Sequence, residues 1–183
     1  MRQLSAALIT LALVIAIAAR APGTAGAESG AESAGLAWFE DHWIDLAADW
    51  EGAAACDISP TGNVCFRSEA ALDSYLNGGP EATTATSATL SITTACASAL
   101  KLYDGTTYTG SVLNLSTEFA YLNLSTYGFD NRTSSYKVGA CDSDFYSAAS
   151  GGGSHYGGNT NAFAQAATML AGWDNVVSSV FIG

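Results

Sequence analysis

The sequence predicts a mainly β fold in which two related units build one sandwich, preceded by an extension with helical and disulfide-bonded parts. Three observations lead there. Residues 128–139, GFDNRTSSYKVG, return near the C-terminus as residues 172–183, GWDNVVSSVFIG, sharing Gly, Asp, Asn, two Ser and the final Gly without a gap. Leu100 and Leu102 alternate with Lys101, Leu113 and Leu115 with Asn114, and Leu122 and Leu124 with Asn123. Each run gives one face to a core and one to solvent, as an antiparallel sandwich requires. The repeated segments end in matching strands, Tyr136 and Val138 in the first and Val180 and Ile182 in the second. Finally, Cys56, Cys65, Cys96 and Cys141 form an even set suited to two disulfides, and sequence alone leaves three pairings open.

The chain begins with Arg2 ahead of an apolar run over residues 6–19, then Pro22-Gly23 and Ala25-Gly26-Ala27. This is the pattern of a secretory signal peptide over residues 1–27, cleaved after Ala27, and the run is short for a membrane span. Two of the six basic residues, Arg2 and Arg20, fall inside it, while all 17 acids lie beyond. The exported chain is therefore more acidic than the −11 of the whole sequence. Such a charge repels phosphate backbones and anionic lipids, which excludes nucleic acid and, after signal cleavage, membranes as partners, and it favours cations.

Residues 28–95 read as an extension. Residues 28–35 are small and polar, a flexible N-terminus. Leu36, Phe39, Trp43, Leu46 and Trp50 then recur at spacings of three and four with Glu40, Asp41, Asp45 and Asp49 between them, predicting an amphipathic helix that ends near Gly52. Its aromatic stripe either packs on the rest of the protein or docks a protein partner. A turn at residues 60–62 separates Cys56 from Cys65 and leads into a short strand. Ser68 is placed to cap a helix over residues 69–76, which Asn77-Gly78-Gly79-Pro80 stops. Residues 81–94, rich in Thr, Ala and Ser, read as a linker passing into a strand at Leu90 and Ile92, with the boundary of the second module near residue 96.

In the first unit Tyr103, Tyr108 and Gly110 make Y-x-x-x-x-Y-x-G around a turn at Asp104-Gly105. The second unit keeps only Tyr156-x-Gly158, and SAASGGGSH between Tyr146 and Tyr156 reads as a mobile loop that casts doubt on the second site. The Ala-rich residues 161–170 suggest a turn or more of helix. An aromatic hairpin followed by D-N-x-x-S-S resembles the βγ-crystallin Greek key motif, in particular its calcium-binding microbial form. The resemblance implies a two-motif βγ-crystallin-like sandwich over residues 96–183, with motif one at 96–140 and motif two at 141–183. Because first and last strands of a Greek key lie side by side, it also implies that Cys96 pairs with Cys141 and Cys56 with Cys65.

Calcium is a hard cation that takes six to eight oxygen ligands, and a D-N-x-x-S-S loop supplies several. Carried over by position, the resemblance implies two linked sites from the pairs Asp130-Asn131 and Asp174-Asn175 and the hydroxyls of Ser134 and Ser178. One hydroxyl of each loop would complete the partner's site, with carbonyls at Arg132, Val176 and the hairpin near Asp104 adding oxygen. Ser135 and Ser179 are expected to make structural hydrogen bonds, and the charge of Arg132 to weaken one site. The competing reading of such loops is that Asx and Ser side chains cap turns.

The remaining chemistry is sparse. His42 and His155 read as surface residues, and H-E-x-x-H, G-x-S-x-G and P-loop patterns are absent from the sequence. Asn114, Asn123 and Asn131 begin N-glycosylation patterns. The sequence thus points to a secreted, non-enzymatic calcium-binding protein. A second reading is a secreted proteinase inhibitor, similar in fold to the streptomycete metalloproteinase inhibitor, presenting residues 57–63 to an extracellular protease. A third is a killer-toxin-like secreted protein of the same fold.

Overall fold

The computed structural model describes residues 34–79 and 96–183, so the signal peptide and the 81–94 linker expected from the sequence lie outside the described residues. In chain order the strands are β1 (Leu36–Phe39), β2 (His42–Asp45), β3 (Ala55–Ser59) and β4 (Gly62–Phe66), followed by helix α1 (Glu69–Leu76). Then come β5 (Leu100–Gly105), β6 (Thr109–Leu115), β7 (Tyr121–Asn123), β8 (Ser135–Lys137), β9 (Ser143–Tyr146), β10 (Gln165–Ala166) and β11 (Ser179–Ile182). They form an eight-stranded sheet in the order β10-β8-β5-β6-β3-β4-β1-β2 and a three-stranded sheet in the order β7-β11-β9. A bridge between Tyr146 and His155 supplies the fourth position of the smaller sheet.

This order is a pair of interlocked Greek keys. Strands β5, β6 and β8 stay in the large sheet while β7, from the same unit, crosses to pair with β11. In the second unit β9, β11 and the His155 bridge stay in the small sheet while β10 crosses to pair with β8. Each unit thus lends its third strand to the other's sheet. Between the sheets Leu100, Leu102, Leu113, Tyr136 and Val138 meet Leu122, Phe145, Val180 and Ile182, all of them buried. The alternation in the sequence therefore places its leucines as expected.

The extension differs from the expectation. Residues 36–50 do not form an amphipathic helix: β1 and β2 are a hairpin turning at Glu40-Asp41, with Glu40 at φ 54°. Ala37, Phe39 and Ile44 point into the core, while Trp38 and Trp43 are registered cross-strand partners whose rings meet edge to face at 5.4 Å. The stripe at spacings of three and four is matched by a period-two pattern once a turn is allowed. Trp, Phe and Ile favour the pleated surface, and β1 gains a parallel partner in β4. Residues 161–170 are not helical either. Phe163, at φ 63°, interrupts them, and Gln165 and Ala166 pair with Lys137 and Tyr136.

Helix α1 is present as expected, with Ser68 Oγ accepting from the Ala71 amide at 3.2 Å. It lies on the outer face of the large sheet, where Leu72 packs with Ala55, Phe66, Tyr103 and Val112. Lys101 reaches Glu69 at 2.9 Å and Asp73 at 2.5 Å, tying the helix to β5. Strand β3 pairs in parallel with β6, so one sheet runs through the sequence boundary at residue 96. Cys56 is bonded to Cys65 across β3 and β4, and Cys96 to Cys141 across the first unit, the pairing the resemblance implied.

Candidate metal centre

The two repeated loops lie side by side. Each approaches its strand through a glycine in the left-handed region, Gly128 at φ 61° and Gly172 at φ 81°. Each then places its asparagine there too, Asn131 at φ 55° and Asn175 at φ 56°. Asparagine is among the few residues that take this conformation at low cost. The turn lets the loops exchange backbone bonds: the Asn131 amide donates to Val177 O at 3.0 Å and the Asn175 amide to Thr133 O at 3.0 Å.

The side chains repeat that exchange. Ser178 Oγ lies 3.4 Å from Asn131 Oδ1, and Ser134 Oγ lies 3.4 Å from Asn175 Oδ1. These pairs are long for hydroxyl hydrogen bonds, which centre near 2.7–2.8 Å. Two oxygens each about 2.4 Å from one cation, at a right angle to each other, would stand roughly 3.4 Å apart. Amide, hydroxyl and backbone carbonyl oxygens are of the kind a hard cation takes, and the loops bring Asn131 to Ser178 and Asn175 to Ser134. Among the described residues there is no cluster of three or more His, Cys, Asp or Glu that could hold a metal.

Of the other candidates, Asp130 and Asp174 are exposed, and Asp130 Oδ2 accepts from Asn131 Nδ2 at 3.1 Å, which orients the amide. Val176 is half-buried beside Val177. The Arg132 guanidinium is turned to the extension: it donates to Gly128 O at 2.8 Å and to Asp104 Oδ2 at 2.6 Å and lies over the rings of Trp50 and Phe129. Asp104 partners its charge. The other Asp104 oxygen accepts from the Ser111 amide at 2.6 Å.

Ser135 and Ser179 are fully buried and clamp the two hairpins alike. Ser135 Oγ donates to Gly105 O at 2.6 Å and accepts from the Tyr108 amide at 3.0 Å. Ser179 Oγ donates to Ala148 O at 2.6 Å and accepts from the Gly151 amide at 3.0 Å. This equivalence corrects the reading of the second hairpin. Tyr146, Ala148, Gly151 and Gly153 stand where Tyr103, Gly105, Tyr108 and Gly110 stand, so the turn closes at Gly153, not at Gly158. Both glycines have positive φ, 80° and 74°, and the Ser154 amide bonds Ser147 Oγ as the Ser111 amide bonds Asp104. The hairpin lacks its second aromatic in sequence but not in space. The Tyr121 ring from β7 lies over Gly151 and meets Tyr146 at 5.7 Å, the separation of Tyr103 and Tyr108. Tyr156 instead belongs to the core, against Phe145 and Tyr136.

The remaining titratable groups are placed as surface or structural residues. His42 bonds Asp41 and Glu51, which raise its pKa, and His155 bonds Asp144 at 2.9 Å. Asp57 is the exception: desolvation in the β3–β6 junction pushes its carboxyl up to about 6, partly opposed by the bond from Asn114 Nδ2 at 2.7 Å. Asn114, 1% exposed, is closed to glycosylation. The 57–63 segment is the β3–β4 hairpin itself, with Ser59 opposite Gly62 and only Pro60 and Thr61 between them.

No family model and no curated protein matches the chain. Several solved structures are similar to part of it. A βγ-crystallin from Ciona intestinalis is 22% identical over 46% of this chain and 99% of that one, with a TM-score of 0.40. A βγ-crystallin domain from Flavobacterium johnsoniae is 19% identical over 46% of this chain and 92% of that one, at 0.38, and one from an archaeon 15% identical over 48% and 99%, at 0.36. The likenesses reach just under half of the chain. The exchanged third strands, seen in this chain's own pairing, make its second half a two-motif Greek key sandwich.

Proposed function

We propose that this is a secreted, non-enzymatic calcium-binding protein whose paired loops hold two linked ions. The observation that carries the reading is the reciprocal approach of Ser178 to Asn131 and of Ser134 to Asn175, each pair at 3.4 Å. One site would draw on Asn131, the Arg132 carbonyl and Ser178, the other on Asn175, the Val176 carbonyl and Ser134. Asp130 and Asp174 supply nearby negative charge. With roughly one formal acid per site, affinity falls at the modest end, about 10 µM to 1 mM. The ions would cross-link the two motifs and stiffen the sandwich. An apolar N-terminus of signal type and two disulfides support export.

Calorimetric titration with calcium is expected to give two ions per chain and a melting temperature that rises with calcium concentration, by mass action. No heat and no shift would reject the reading. The inhibitor alternative draws little support from the 57–63 hairpin, whose two-residue turn offers a protease cleft no extended loop. Unchanged thermolysin and subtilisin rates in the presence of the protein would remove it.

A further inference from the structure

The two loops are alike in backbone but not in surroundings. Loop one is held by the extension. Trp50 Nε1 donates to Tyr127 O at 2.9 Å in a buried bond, and its ring lies 5.7 Å from that of Phe129. A side chain at Gly128 would run into the Leu46 carbonyl, and one at Gly35 would come within 2.7 Å of Thr126 O. The Arg132 side chain completes the contact, its guanidinium over both the Trp50 and Phe129 rings. Among the described residues, none of the extension covers loop two in this way. The space beside Gly172 is open to 4 Å, and Trp173, the counterpart of Phe129, meets Tyr156 of its own motif.

We infer that the N-terminal extension is a positioning element for the first metal loop, so that its docking through Trp50 and calcium binding at the site built on Asn131 stabilise each other. The inference rests on the calcium reading above. Preorganising a loop lowers the ordering cost that binding otherwise meets. By linkage the coupling is reciprocal: an ion at this site must hold the extension more firmly to the sandwich. The site built on Asn175 takes only its hydroxyl, Ser134, from the held loop and its asparagine and carbonyl from the other, so it shares less of the coupling.

Single-site proteins separate the two effects. Ser134→Arg leaves the Asn131 site and Ser178→Arg leaves the Asn175 site. Adding Trp50→Ala is expected to weaken calcium about tenfold in the first background, roughly 1.4 kcal/mol, and less than twofold in the second. Amide hydrogen exchange supplies an independent readout: calcium should slow exchange across residues 36–46 in the Ser134→Arg protein and less so in the Ser178→Arg protein. Because Trp50→Ala can loosen the extension as a whole, Trp50→Phe, which keeps a ring against Phe129 and removes only the Nε1 bond to Tyr127 O, is measured alongside. It should weaken the Asn131 site in the same direction. Equal weakening in both backgrounds, or none in either, together with unchanged exchange, overturns the coupling while leaving the calcium reading intact. Absence of calcium binding in both single-site proteins and in the unmodified chain overturns the calcium reading itself, and the coupling with it.

Discussion

Two buried residues carry consequences that the repeat alone does not suggest. Among the described residues Thr133 Oγ1 is buried with no hydrogen-bond partner, and its counterpart in the second loop is the fully buried Val177. An unpaired buried hydroxyl costs about 1–3 kcal/mol, and valine keeps the shape while removing it. Thr133→Val should therefore raise stability by about 1 kcal/mol, read as a higher denaturant midpoint at unchanged slope. Asp57 acts through pH. Its carboxyl titrates near 6 in the fold against an ordinary 3.8, so between those values the folded chain holds a proton that the unfolded chain has released. Stability from this group is then greatest below pH 3.8 and falls as pH rises through 6, by roughly 3 kcal/mol. Asp57→Asn should flatten stability between pH 4 and 6, and an unchanged profile would remove the carboxylate from the account. At this scale the mutual approach of the two loops was legible, because D-N-x-x-S-S keeps its spacing in both copies. The partners of Arg132 were not, since Asp104 and Trp50 are distant in sequence and meet it only through the fold.

Among the elements, the hairpins show what spacing can and cannot reveal. The second one hides in sequence because Gly151 replaces the aromatic and the ring arrives from β7 instead. The signal that remained was the pair Ser147 and Gly153, one position out of step with the later repeat. The clamping serines predict matched losses. Ser135→Ala and Ser179→Ala each strand a backbone amide and a carbonyl that the hydroxyl now serves, and each should cost about 1–3 kcal/mol in chemical denaturation. If Ser179→Ala proved neutral, the equivalence of the hairpins would fail. The β1–β2 hairpin teaches the opposite lesson. Its residues satisfy a helical stripe as well as an alternating one, and what decides is the edge of β4, a partner invisible to any local window.

For the molecule as a whole, the extension, not a separate body, continues the large sheet from β6 through β3 to β2. The repeat could announce the sandwich because both copies obey it, whereas nothing in residues 28–95 is repeated to announce where they attach. The Cys96–Cys141 bond closes 45 residues of the first unit, and by chain entropy its loss should cost about 4 kcal/mol, seen as a lower melting temperature when Cys96→Ala is combined with Cys141→Ala. The central claim, that two loops pool their oxygens around a cation, is tested most directly by following backbone amides by NMR during a calcium titration. The account predicts that the earliest and largest shifts fall together on residues 130–134 and 174–178, and that Ser134→Arg with Ser178→Arg abolishes them. Shifts confined to the acidic surface of the extension, or shifts that survive the double substitution, would contradict it.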